Sequence, residues 1–223
     1  MAEQSILVIN PNSTEAVTRG IDAACAPLRM PGGPSIEAVT LEEGPPGIET
    51  QQHVDNLIPH LVARVKASEK DYAAFVIACY SDPGIHSLRE VTKKPVLGIQ
   101  ECGILTALTL GPKFGVLAIL QSSIPRHMRY MAGLGVMDRL AGELPVGLPV
   151  VELSNEQKTF GRMVEVGKAL RERHGADVLV MGCAGMARYR DGLQKEVGLP
   201  VVEPTQAAVS MAIGRVRLNW EAA

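Results

Sequence analysis

Two cysteines close two similar stretches of this 223-residue chain: AAFVIACYSDPG carries Cys79 and DVLVMGCAGM carries Cys183. A free thiol ionises near pH 8.5, so a small downward shift poises one as a base at neutral pH while another remains an acid. Set on opposite sides of one carbon, two such groups can invert a stereocentre. A thiolate removes a proton from one face and a thiol returns a proton to the other, with no cofactor. The carbanion or enolate between the two transfers needs hydrogen-bond donors. Candidates are the backbone N–H groups after Cys79 and Cys183, together with Asn10, Asn12 and the hydroxyls of NPNST.

The elements that must position these thiols are legible around them. Each cysteine follows an apolar run with almost no polar interruption, which reads as a strand buried on both faces of a parallel sheet. Such a strand delivers its cysteine to the carboxyl end, where ligands of open α/β sheets sit. Small residues and an amphipathic segment follow, which predicts a thiol at or just before a helix N-terminus, with its pKa lowered by the N–H groups there. Downstream of Cys79 comes KKPVLGIQECGILTALTL, and downstream of Cys183 comes GLPVVEPTQAAVSMAIG. Strand, cysteine, helix, short Pro-Val strand and small-residue helix thus occur twice in order. SILVINPNST and FGVLAILQSS supply matching first strands. The expectation is an α/β protein of two similar lobes, each a mainly parallel sheet flanked by helices. A pseudo-two-fold relation would place the cleft between them. The first lobe takes 1–98 with the C-terminal helix at about 205–223, and the second takes 99–204.

The remaining elements follow in order. Asn10, Pro11 and Asn12 form a polar turn, and Ser13 or Thr14 is a natural N-cap for a helix running to Ala26. A strand over 36–41 precedes a Pro/Gly-rich loop at 42–50, read either as a lid or as an ordinary connection. Apolar spacing of three and four predicts a helix over 50–68, kinked at Pro59. His86 lies near Cys79, either assisting the thiol or facing solvent. Cys25 and Cys102 read as core. After a strand at 114–120, Ser122 or Ser123 caps a helix whose Arg126, His127 and Arg129 are expected on a solvated face. A strand is expected over 148–153 and a charged helix over 155–173, stopped at Gly175.

Composition sets the outer bounds. The chain is 46% hydrophobic and 21% charged, with a net charge of −2, which gives a real core and no electrostatic footprint for nucleic acid or an anionic membrane. No apolar run approaches the length of a membrane span, and no signal-peptide pattern opens the chain. A cytoplasmic protein is expected. Four widely spaced cysteines fit neither a disulfide framework nor a zinc ribbon, and no dinucleotide fingerprint, P-loop or nucleophile elbow occurs.

INPNST, IACYSDPG, MGCAGM and PVVEPTQAAV, spread in order over nearly the whole chain, resemble matching segments of the aspartate/glutamate/hydantoin racemase superfamily, in particular its hydantoin and allantoin racemase branch. The resemblance implies cofactor-free two-base racemisation of a 5-substituted hydantoin or allantoin, no metal, a small-molecule substrate and a homo-oligomer. It puts the paired acid/base on Cys79 and Cys183, the substrate-holding turn on Asn10, Pro11, Asn12 and Ser13, and amide-rich turns on Tyr80, Ser81, Ala184 and Gly185. One departure concerns the substrate. Related racemases often place small hydroxyl residues where this chain has Ala118 and Ile119, with Ser122 arriving only later, so one wall becomes more apolar. Arylmalonate decarboxylase and maleate cis-trans isomerase resemble the same framework. The isomerase also uses two cysteines, but a dicarboxylate would require Arg126 or Arg129 to point into the cleft. A non-catalytic binding protein or thiol redox sensor is the remaining alternative.

Overall fold

In the computed structural model, which describes residues 4–221, the four most apolar runs form the inner strands of two sheets. The first sheet holds β1 (Ser5–Asn10), β2 (Ser35–Thr40), β3 (Ala74–Ile77) and β4 (Val96–Gly98) in the order β2-β1-β3-β4. The second holds β5 (Phe114–Ala118), β6 (Leu140–Pro145), β7 (Val178–Gly182) and β8 (Val201–Val202) in the order β6-β5-β7-β8. Every pairing is parallel. Each half therefore repeats one topology, and the structure is the expected pair of α/β lobes.

Strand periodicity explains the core. Ile6, Val8 and Val76 point into a central cluster that also takes Val116, Val178 and Val180 from the second sheet. The alternate residues Leu7, Ile9, Phe75 and Ile77 face outward onto α2 (Gln51–Ser68) and α3 (Ile85–Val91). Leu179 and Met181 do the same beneath α6 (Glu156–His174) and α7 (Arg190–Val197). Burial of each such side chain contributes about 1.5–3 kcal/mol, so the two-faced strands set the register of both sheets.

Two helices bind the halves together. α4 (Ile99–Leu110) leaves the first sheet but packs on β7 of the second. α8 (Pro204–Leu218) leaves the second and packs on β3 and β1 of the first. They also pack on each other, where a Cβ at Gly103 would lie 3.0 Å from that of Pro204.

The structure corrects several expectations. The strand placed over 148–153 is instead a 3-10 turn, Val150–Ser154, and the strand beside β5 is β6. Gly147 at φ +79° and Pro149 break the apolar run, although Leu148 and Val150 stay buried over the end of the sheet. β5 ends at Ala118 rather than at 120. On α5 (Ile124–Gly133), Arg126 and His127 are buried, and only Arg129 faces solvent as expected. Thr14 occupies the N-cap of α1 (Glu15–Cys25) but does not cap it with its hydroxyl, which donates to Pro46 O.

Candidate active site

The carboxyl ends of β1, β3, β5 and β7 open on one cavity of about 30 Å³, lined from both lobes. Cys79 follows β3, Cys183 follows β7, and both thiols line this space. Cys79 and Cys183 stay partly accessible, while Cys25 and Cys102 are buried; all four are free thiols. Gly182 lets β7 end this way: a Cβ there would fall 2.5 Å from Leu117 O on the adjacent strand.

The two cysteines are held differently. Cys183 is the N-cap of a 3-10 turn, Ala184–Tyr189, and a Cβ built on Gly185 would lie 3.6 Å from its sulfur. Cys79 is not at a helix start, because the turn Tyr80–Gly84 separates it from α3. Ser81, in that turn, is its polar neighbour. The expected acidification of the thiols is absent. Burial pushes Cys79 up to about 11, against the pull of Ser81 and Arg126. Burial likewise pushes Cys183 up to about 12, with negative charge on Cys79 adding to the rise. Each thiolate therefore disfavours the other.

A buried polar cluster lies on the Cys79 side. Arg126 Nε donates to Ser81 Oγ at 2.8 Å. His127 Nε2 lies 3.4 Å from the same oxygen, and its Nδ1 lies 2.6 Å from Glu143 Oε1. Nδ1–H donates to the carboxylate. Tyr80 packs edge-on against the imidazole, with centroids 5.1 Å apart. Arg126 thus does point into the cleft. However, its remaining donors go to Glu49 O, Ser122 O and Ser123 Oγ. Little of the guanidinium is left for a second carboxylate, as maleate would require.

Of the residues singled out from sequence, Asn12, Cys79, Tyr80, Ser81, Ile119, Cys183, Ala184 and Gly185 share the cavity. Asn10, Pro11, Ser13, Ala118 and Ser122 lie outside its lining. Asn10 is sealed behind it, its amide donating to Asn12 Oδ1 and Thr18 Oγ1. Asn12 Oδ1 also accepts from Thr14 N–H, which leaves the Asn12 amide nitrogen as its donor towards the cavity. Pro11 and Ser13 meet the 42–50 loop: Ser13 N–H donates to Pro45 O, and a Cβ at Gly44 would fall 2.2 Å from Pro11 O. Ala118 is buried within β5, and Ser122 is exposed with its hydroxyl on Glu49 O.

The 42–50 loop closes one wall. Ile48 lines the cavity, and Glu49 accepts from Val150 N–H through its carboxylate. Val17, Ile48, Ala78, Arg126, His127, Val150 and Gly182 are the lining residues that the sequence reading did not assign to the site. Ala78 and Gly182 carried a signal, since they stand at the strand ends just before the two cysteines. Among the described residues, no three His, Cys, Asp or Glu side chains come together as a metal-ion site, and no helix is long and apolar enough to cross a membrane.

Fold and site together define a class: a duplicated α/β protein with one cysteine at the end of an equivalent strand in each half, both facing one cleft. Residues 6–212 match the family described as Asp/Glu/Hydantoin racemase, and the chain belongs to that family of isomerases. It is 35% identical over 209 residues to a hydantoin racemase of Pseudomonas sp. (strain NS671), covering 93% of this chain and 84% of that one. The structure is similar to that of allantoin racemase from Klebsiella pneumoniae, with a TM-score of 0.90, 30% identity and coverage of 99% and 90%. It is also similar to allantoin racemase from Pseudomonas fluorescens, with a TM-score of 0.92, 28% identity and coverage of 99% and 94%.

Proposed function

We propose that the protein racemises a 5-substituted hydantoin by two-base proton transfer between Cys79 and Cys183, without a cofactor. The observation that carries this reading is the placement of both thiols, from equivalent strand ends of the two halves, on a single cavity. Cys79 is assigned the first base because Ser81 and Arg126 draw it towards the thiolate, against the rise that burial causes. It takes the C5 proton from one face of the ring, and the electron pair passes into the adjacent carbonyl as an enolate. The Cys183 thiol then delivers its proton to the opposite face. The enzyme is left with a thiol at Cys79 and a thiolate at Cys183, the state that accepts the other enantiomer. Asn12 supplies a side-chain donor for the developing charge. The mutual penalty between the thiolates keeps one site protonated whenever the other is ionised, which a two-base inversion requires.

The test uses single and double Ala variants of Cys79 and Cys183 with enantiopure 5-methylhydantoin. Optical rotation is followed by circular dichroism, and C5 deuteration in deuterium oxide by NMR. Each single variant is expected to lose racemisation and retain exchange of one enantiomer only. Racemisation surviving in the double variant overturns the proposal.

A further inference from the structure

The cavity between the cysteines, at about 30 Å³, has room for water but not for a five-membered ring with two carbonyls; a cavity of about 150 Å³ is what holds benzene. One wall must therefore move to admit a substrate. Most of the lining stands at the ends of β3 and β7 and in the turns just after them, where the sheets hold it. Ile48 is different, because it comes from the 42–50 loop. At Pro45 and Pro46 that loop is tied to the first lobe by Ser13 N–H and the Thr14 hydroxyl. Its last residues lie instead on the second lobe. A Cβ at Gly47 would fall 2.9 Å from Val150 Cβ. Glu49 carries three bonds across: its carboxylate accepts from Val150 N–H at 3.1 Å, and its carbonyl accepts from Arg126 Nη1 at 3.2 Å and from the Ser122 hydroxyl at 3.4 Å.

Arg126 joins this latch to the chemistry. Its Nε donates to Ser81 Oγ, beside Cys79. Its acceptors among the described residues, Ser81 Oγ, Glu49 O, Ser122 O and Ser123 Oγ, are all uncharged, which leaves the positive charge to act on the sulfur. Other charges near the guanidinium are the carboxylates of Glu143 on β6 and Glu49 on the loop and the cation of Arg129 on α5, while Cys79 also faces Asp82 and Cys183. We infer that Glu49 is a positioning residue: by latching the loop to the second lobe it sets Arg126 beside Cys79, so that the base is complete only once the loop has closed over the substrate. The inference rests on the reading of Cys79 as a base and adds the step that prepares it. Opening takes the Glu49 carbonyl from Arg126 and lets the guanidinium reach solvent, where its effect on the sulfur is screened. Closing returns it and excludes water, which strengthens the same charge.

The test follows racemisation of 5-methylhydantoin by circular dichroism across pH, in wild-type protein, Glu49→Ala, Glu49→Gln, Gly47→Val and Cys79→Ala. The pH dependence of kcat reports groups in the enzyme–substrate complex. Loss of the latch removes a cation from beside the base, so in Glu49→Ala the rise of kcat with pH should move up by about one unit, the lower end of what an adjacent cation does. At a fixed pH on that rise, kcat should fall about tenfold. Glu49→Gln still offers an oxygen to Val150 N–H and should keep the wild-type midpoint. Gly47→Val leaves Glu49 intact but strikes Val150, so it should shift the midpoint as Glu49→Ala does, and it carries the test if Glu49→Ala does not fold. A midpoint unmoved in either variant, or a loss confined to KM, overturns the inference. Equal shifts in Glu49→Gln and Glu49→Ala overturn it too, by assigning the effect to charge rather than to the latch. Cys79→Ala racemising at the wild-type rate defeats the parent reading. An inactive Cys79→Ala beside an unmoved Glu49→Ala midpoint defeats this inference alone.

Discussion

His127 Nδ1 and Glu143 Oε1 lie 2.6 Å apart with their side chains 2% and 1% exposed, beside Cys79. The second oxygen of Glu143 has no partner among the described residues, so this carboxylate is spent on orienting one imidazole. The imidazole in turn lies against Ser81, the polar neighbour of Cys79. Beside Cys183 the corresponding neighbour is the backbone of Gly185. The two halves share a topology, but they do not support their thiols alike.

Removing one partner from such a sealed pair leaves an uncompensated group. Glu143→Ala leaves the imidazole N–H without its acceptor and should therefore cost about 1–3 kcal/mol of stability, read as a lower midpoint in urea. Glu143→Gln keeps the acceptor and should fold well enough for kinetics. There, deuterium uptake by the enantiomer that gives its proton to Cys79 should slow by about tenfold, or 1.4 kcal/mol. The other enantiomer should change less. Equal slowing of both would reduce the pair to a packing role.

The raised thiols give a second prediction, read by iodoacetamide alkylation and peptide mass spectrometry across pH. Cys79, pushed up by burial to about 11, and Cys183, pushed up to about 12, should both react slowly at neutral pH, with rates that climb through the alkaline range. Buried Cys25, also pushed up to about 12, and buried Cys102 should stay unmodified while the protein is folded. The sign for stability follows from the same values. Both folded-state pKa values lie above the ordinary 9.0, so the contribution is fully present below pH 9 and is lost as pH rises through 11 to 12. A folding midpoint that rises with pH across that window would contradict it.

The doubled plan of the fold was legible because its inner strands are apolar on both faces and are each followed by the same sequence of turn and helix. The thiols and their neighbours Tyr80, Ser81, Ala184 and Gly185 could be located because a strand end fixes the residues just after it. β6 was hidden for the opposite reason. LAGELP is half-buried along its length, with small and charged residues breaking any period, whereas LPVVEL reads as a strand but is interrupted by Gly147 and Pro149. The burial of Arg126 and His127 could not be read locally. It depends on Glu143 arriving from β6 and on Ser81 from the other lobe. Val17 and Val150 reach the cavity only through the way α1 and the 3-10 turn pack across the strand ends.

The last prediction concerns how the Cys79 turn is anchored. Asp82, at φ 41°, places both carboxylate oxygens on the start of α4, accepting from Gln100 N–H and Glu101 N–H at 2.9 Å each. The second half caps α8 with its own Glu203, which accepts from Thr205 and Gln206. Aligning PVLGIQ with PVVEPTQ puts Gly98 opposite Glu203, so Asp82 fills the space that the missing side chain leaves. A Cβ at Gly98 would lie 2.2 to 2.5 Å from the Asp82 carboxyl atoms, which two hydrogen bonds hold in place. Asp82→Ala should cost about 0.5–2 kcal/mol as a lost cap, and Gly98→Ala alone should cost more through the clash. In the double variant the clash is gone, so its loss should fall well short of the sum of the single losses, by about 1 kcal/mol or more on a double-mutant cycle of urea midpoints. Additive losses would show that Asp82 and Gly98 do not share this space.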